Sequence, residues 1–108
     1  MEVIRLEELE PELNPRGVMA RELVNSSDVH VMNLLLKPGE TVDTHTTPVD
    51  VFFYVVGGRG RVVIGEEEEQ VTATDLVVSP KNMPRALHAG EDEKFHVLVV
   101  KTPNPKKT

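Results

Sequence analysis

Four histidines, a single arginine near the end of an Asp-led run, and a few hydroxyl and carboxylate side chains are the groups in this 108-residue chain whose types and positions can do chemistry. There is no cysteine, hence no thiol nucleophile, disulfide or thiolate zinc site, and a metal would have to be held by histidine, carboxylate or water. The candidate metal donors are His45, Asp50, His88 and His96. His30 alternates with Met32 and Leu34, and His96 with Leu98 and Val100, so both rings reach an interior if those parities face inward. A second chemistry needs no metal. Arg85 offers a permanently charged planar fork matched to carboxylate. His45, Thr47 and Tyr54 add hydrogen-bonding groups, and Val51, Phe53 and Val55 form an apolar wall if they share the inward parity of His45 and Thr47.

The elements that must position these groups are strands. Short β-branched or aromatic runs recur at Val18 to Val24, Val29 to Leu36, Val51 to Val56, Arg61 to Ile64, Gln70 to Ala73, Leu76 to Ser79 and Phe95 to Lys101. Turn-forming segments separate them: Asn25-Ser26-Ser27-Asp28, Lys37-Pro38-Gly39-Glu40, the glycines at 57, 58 and 60, and Pro80 to Pro84. No window carries a capped helical period. The pattern predicts an all-β domain of about eight or nine short strands, a sandwich or barrel. The four carboxylates Glu66 to Glu69 read as a solvated hairpin tip, because a calcium loop alternates its ligands with turn residues. Residues 1–28 are expected to form an N-terminal arm with the first strands, 29–101 the barrel, and 102–108 a flexible tail.

Twelve Lys plus Arg against eighteen Asp plus Glu leave a net charge of -6, a long-range field that repels phosphate backbones and anionic lipid. Nucleic acid and membrane are therefore not expected partners. The start, Met1 to Glu8, lacks the basic flank and apolar block of a signal peptide, so a cytoplasmic location is expected.

The stretch from Gly39 to Gly60, with His45, the strand run Val51 to Val56 and the Gly58-x-Gly60 ending, resembles the first motif of the cupin family. Asp75 to Arg85, with Pro80, Pro84 and Asn82 in place of the usual turn glycine, resembles the second. The resemblance covers about residues 30 to 101 and implies a small cupin-type β-barrel, a double-stranded β-helix or jelly roll. In metal-binding cupins two histidines, a glutamate and a third histidine converge on one divalent ion. Here His45 matches the first histidine, while Thr47, Val51 and Arg85 stand at the other three positions. One expectation is thus a barrel that binds a small anionic or carboxylated molecule through His45, Thr47, Tyr54 and Arg85, around a degenerate metal site. The alternative is a dioxygenase-, isomerase- or decarboxylase-type enzyme with Mn, Fe, Ni or Zn on a rearranged set of His45, Asp50, His88 and His96. A third is a ligand-free dimerisation or regulatory domain. Self-association into a homodimer, with the first strands added to a second subunit, is expected under all three.

Overall fold

The structure, a computed structural model, describes residues 1–107. Among these residues the short apolar runs form nine strands and no α-helix: β1 Glu12–Leu13, β2 Met19–Asn25, β3 His30–Leu36, β4 Thr41–His45, β5 Asp50–Ile64, β6 Glu67–Thr72, β7 Leu76–Ser79, β8 Arg85–Ala89 and β9 Phe95–Thr102. A single 3-10 turn, Leu6–Glu8, precedes them. All pairings are antiparallel. The strand order is β1-β2-β3-β9-β5-β8-β4, with β6 and β7 each also pairing β5. The sheet curls so that its two halves face each other across one core, the all-β barrel that the turn-punctuated strand pattern predicts.

Period-two alternation decides what lies inside. Leu34 and Leu36 of β3, Val51, Phe53 and Val55 of β5, and Phe95, Val97 and Val99 of β9 are all buried, and they meet Val42, Val62 and Leu87 in one cluster. Val51, Phe53 and Val55 therefore all face inward, as their parity implies. At about 25 cal/mol per Å² of apolar surface removed from water, each such side chain contributes roughly 1.5–3 kcal/mol.

The glycines at 57, 58 and 60 do not reverse the chain. The two runs expected on either side of them are one fifteen-residue strand, β5. Its register with β9 slips once between Val55 and Gly57, then continues through Gly57 opposite His96 and Gly58 opposite Phe95. From Gly60 onward it pairs with β8. The glycines serve a bulge that carries one strand from one half of the barrel into the other. Gly58 sits at φ +80, and Gly60 packs under the Phe95 ring. The carboxylate run is also more regular than a loose tip: Glu67 to Glu69 lie within β6, opposite Ile64, Val63 and Val62, and Arg61 pairs with Glu68. In the single chain, β2 pairs with the chain's own β3 and β1 with β2. No helix among the described residues is long and apolar enough to cross a membrane.

The tail expected to be flexible, as far as Lys107, carries hydrogen bonds to the turn before β3. Asn104 is fully buried. Its Nδ2 donates to Asn25 Oδ1 at 2.8 Å and to the Ser26 carbonyl at 2.9 Å, and its backbone N–H donates to the Ser27 carbonyl. One amide side chain thus satisfies a turn that has few backbone partners of its own. Asn104→Ala is expected to cost about 1–3 kcal/mol and to speed proteolysis of residues 103–107 and amide exchange in the Asn25 to Asp28 turn. Unchanged cleavage and exchange would show the anchor to be incidental.

Candidate functional site

Between β3, β5 and β9 on one side and β4 and β8 on the other lies a hollow of about 350 Å³, a volume suited to one small molecule. Its apolar lining includes Met32, Leu34, Phe53, Leu87 and Val99, each on the inward parity of its strand. Its polar lining is cationic: Arg85 from β8, Lys101 from β9, Arg16 from the loop before β2 and Lys106 from the docked tail, together with His30 and His45. Among the described residues that line it there is no aspartate or glutamate.

Arg85 is 1% exposed. Its Nη1 donates to Ser79 Oγ and to the Met83 carbonyl, both at 3.2 Å, whereas Nη2 has no partner among the described residues. Burial pulls its pKa below the ordinary arginine value, because a guanidinium out of water loses hydration that two neutral acceptors only partly replace. His45 is the register partner of Arg85. Its Nδ1 lies 3.1 Å from the Asp43 carbonyl oxygen, and since a carbonyl only accepts, that nitrogen carries the proton and Nε2 presents its lone pair. Burial foremost, and then the nearby charges of Arg16, Arg85 and Lys101, hold His45 toward the neutral ring against the opposing effect of the Asp43 bond.

Lys101 continues the inward alternation of Phe95, Val97 and Val99. Its pKa is lowered, first by burial and then by Arg85, Lys106 and Arg16. His30, 2% exposed, approaches Glu22 Oε2 through Nε2 at 3.0 Å. Its Nδ1 is buried with no partner among the described residues.

That bond gives Glu22 a measurable signature. The hydrogen bond from His30 outweighs desolvation and holds the Glu22 carboxyl below the usual carboxylate value. A depressed carboxyl contributes stability above its unfolded pKa and loses it as the pH falls through the folded one. Glu22→Gln is therefore expected to flatten the loss of urea resistance between neutral pH and about pH 3. An acid limb as steep as the wild type's would exclude the pair as its source.

Of the other residues singled out from the sequence, the hollow gathers none. Thr47 is buried, but its carbonyl accepts the Asn82 N–H and it lies outside the lining. A register shift between Val42 and His45 breaks the simple alternation within β4. Tyr54 stands on the outer face of β5, between Leu76 and Leu98. Asp50 is exposed and accepts the Lys81 N–H at 3.0 Å. His88 faces away from Arg85 and Leu87 into a separate surface cleft with Arg59 and Arg61. His96 shares the outer parity of Leu98 and Val100, opposite the buried Phe95, Val97 and Val99.

Lys101, Arg16 and Lys106 were not among the expected site residues. Lys101 had a signal, being a lysine on the apolar parity of a strand. Arg16 and Lys106 had none, since loop docking brings them to the hollow.

The cupin resemblance implies a divalent ion, and the residues here do not fit one. Its four expected ligand positions hold one imidazole, a hydroxyl, an isopropyl group and a guanidinium. No group of three or more His, Cys, Asp or Glu side chains among the described residues is placed to hold a metal. Cations occupy the polar part of the hollow, and a guanidinium has no lone pair to offer.

The cupin domain family model matches residues 32–101. No curated protein matches the chain in sequence. Among solved structures, the chain is similar to the TT1209 protein from Thermus thermophilus, at 24% identity over 97% of this chain and 100% of that one, with a TM-score of 0.85. A predicted oxalate decarboxylase from Thermotoga maritima matches at 19% identity over 94% of this chain and 99% of its own, with a TM-score of 0.85. The polyketide cyclase RemF from Streptomyces resistomycificus matches at 16% over 94% and 79%, with a TM-score of 0.85. At these identities the likeness is one of fold, and it agrees with the barrel, the two motif stretches and the matched family domain: the chain belongs to the cupin domain family.

Proposed function

We propose that this cupin binds a small carboxylated anion in the hollow of its barrel and does so without a metal. The observation that supports this reading is the charge of the lining. Arg16, Arg85, Lys101 and Lys106 face one hollow with no lining acid among the described residues, in a chain whose net charge is -6. Arg16 and Lys106 are exposed, but Arg85 is buried and Lys101 half-buried. Holding these two cations uncompensated in a partly apolar space raises the energy of the empty state, which an anion relieves. Arg85 Nη2 and His30 Nδ1, buried and unpartnered on opposite walls, are where an incoming polar group would find hydrogen bonds. Phe53, Leu87 and Val99 would cover its carbon skeleton.

The test is calorimetric titration and thermal unfolding of the full chain with oxalate, malonate and succinate. Malonamide serves as the uncharged control, and chloride is matched for ionic strength. A carboxylate at a hundred times its Kd is expected to stabilise the fold by about 2.7 kcal/mol. Oxalate is the first choice because one structural neighbour is named for it. If the carboxylates do no more than chloride, the reading fails.

A further inference from the structure

We propose that Lys101 is a covalent carbonyl-binding site, its ε-amine condensing with the ketone of a small 2-oxo acid whose carboxylate is held by Arg85. This rests on the anion-binding reading of the hollow and names the ligand class.

The placement comes first. Lys101 follows Phe95, Val97 and Val99 on the inward face of β9, opposite His30 of β3 and Val51 of β5. It lines the same hollow as Arg85 and His45, and none of the ion pairs among the described residues involves it. A lysine reaching an enclosed space usually finds a carboxylate; this one finds cations. An ammonium so placed, between desolvating walls and like charges, gives up its proton more readily than a solvated one, and the free amine is the nucleophile. The lowering of the Lys101 pKa by burial, Arg85, Lys106 and Arg16 follows the same logic. The other cations cannot take this role. Arginine keeps its charge, and Lys106 is exposed to water and lacks the desolvating walls around Lys101.

Arg85 supplies what a 2-oxo acid needs next to the amine. Its unpartnered Nη2 can donate to a carboxylate oxygen, and the ketone of such an acid is bonded directly to the carboxylate carbon, which confines it to the same hollow. His45 completes the proton path. With Nδ1–H donated to the Asp43 carbonyl, its Nε2 lone pair is available as a base. The Lys101 nitrogen lone pair forms a bond to the ketone carbon while the C=O π pair moves to oxygen. The proton lost from nitrogen passes through His45 Nε2 to that oxygen, giving a neutral carbinolamine. The remaining N–H proton then passes through His45 Nε2 to the hydroxyl, which departs as water while the nitrogen lone pair closes the C=N bond, leaving the neutral imine of Lys101 and the 2-oxo acid. Addition of water reverses each step, so no oxidant or further reactant is needed.

Reductive trapping tests this directly. The full chain is incubated with pyruvate, treated with sodium borohydride, and examined by intact mass and peptide mapping. A single reduced adduct on Lys101 is expected, saturating with pyruvate and suppressed by excess lactate, which offers the carboxylate but no ketone. Lys101→Arg keeps the charge and is expected to fold as the wild type does by circular dichroism. Labelling should fall at least tenfold in that variant and in Arg85→Met. Absence of an adduct, or equal labelling of the exposed lysines in wild type and Lys101→Arg, overturns the proposal. Pyruvate and lactate shifting the unfolding temperature alike, with no adduct, would leave anion binding standing and remove the covalent step. No shift by either and no adduct would remove both.

Discussion

Arg85→Met is expected to abolish most of the response to small carboxylates while leaving the unliganded chain within about 1 kcal/mol of wild-type stability, or somewhat above it. Two opposing effects meet at this residue. The guanidinium is 1% exposed, and its partners, Ser79 Oγ and the Met83 carbonyl, are neutral, so the empty barrel carries the desolvation of a charge that nothing of opposite sign offsets. A thioether chain of similar length fills the volume and removes that penalty, which is several kcal/mol for a buried ion, at the loss of two hydrogen bonds from a charged donor of roughly 1.5–3 kcal/mol each. With an anion bound, the balance reverses. Removing one partner of a buried, hydrogen-bonded charge pair costs about 2–5 kcal/mol, roughly thirtyfold or more in affinity. Urea unfolding and calorimetric titration of the same variant separate the two quantities. A large loss of unliganded stability with binding retained would make Arg85 a structural strut instead of a ligand-holding group.

Gly60→Ala and Gly58→Ala are expected to be the most destabilising single substitutions in the barrel, each costing about 3–5 kcal/mol, a large part of the roughly 5–15 kcal/mol typical of a folded domain. At Gly58 a β-carbon would collide with the Lys94 backbone carbonyl. The φ of +80 adds the left-handed penalty of about 1–2 kcal/mol for a residue with a side chain. At Gly60 it would enter the Phe95 ring and lie 2.7 Å from the His88 carbonyl oxygen. Phe95 is fully buried and has no free space into which to yield. Gly17 and Gly39 offer the contrast. Both have positive φ, yet nothing lies within 4 Å of an added β-carbon, so alanine there carries only the backbone strain. Urea midpoints of the four variants order them, and a tolerated alanine at Gly60 would show that β5 and β9 can move apart at the bulge.

The barrel was legible because one-sided burial writes a period of two into the chain. Val51, Phe53 and Val55 alternate inward as their spacing says, and Asn82 takes the left-handed conformation, φ 65, at the position where the motif wants glycine. The site was less legible, for a specific reason at each residue. Around His96 the run Val97 to Val100 is apolar on both faces, so parity cannot be read from composition, and the ring fell on the outside. Asp50 begins β5 but turns its carboxylate to the Lys81 amide. Arg16 and Lys106 reach the hollow from a loop and a tail whose docking is tertiary, fixed by bonds such as those of Asn104. His45 and Arg85 stand out in sequence as motif positions, yet their pairing across β4 and β8 appears only when the strands are laid side by side.

Because β5 hydrogen-bonds with β6, β7, β8 and β9 along its length, neither half of the barrel owns a complete set of backbone partners. Pulling the chain apart at either end must strip the same spine, so slow amide exchange on Phe53 and on Val62 should share a single opening event. A molecule seated in the hollow would then brace both halves at once, and its grip would be felt along the entire spine.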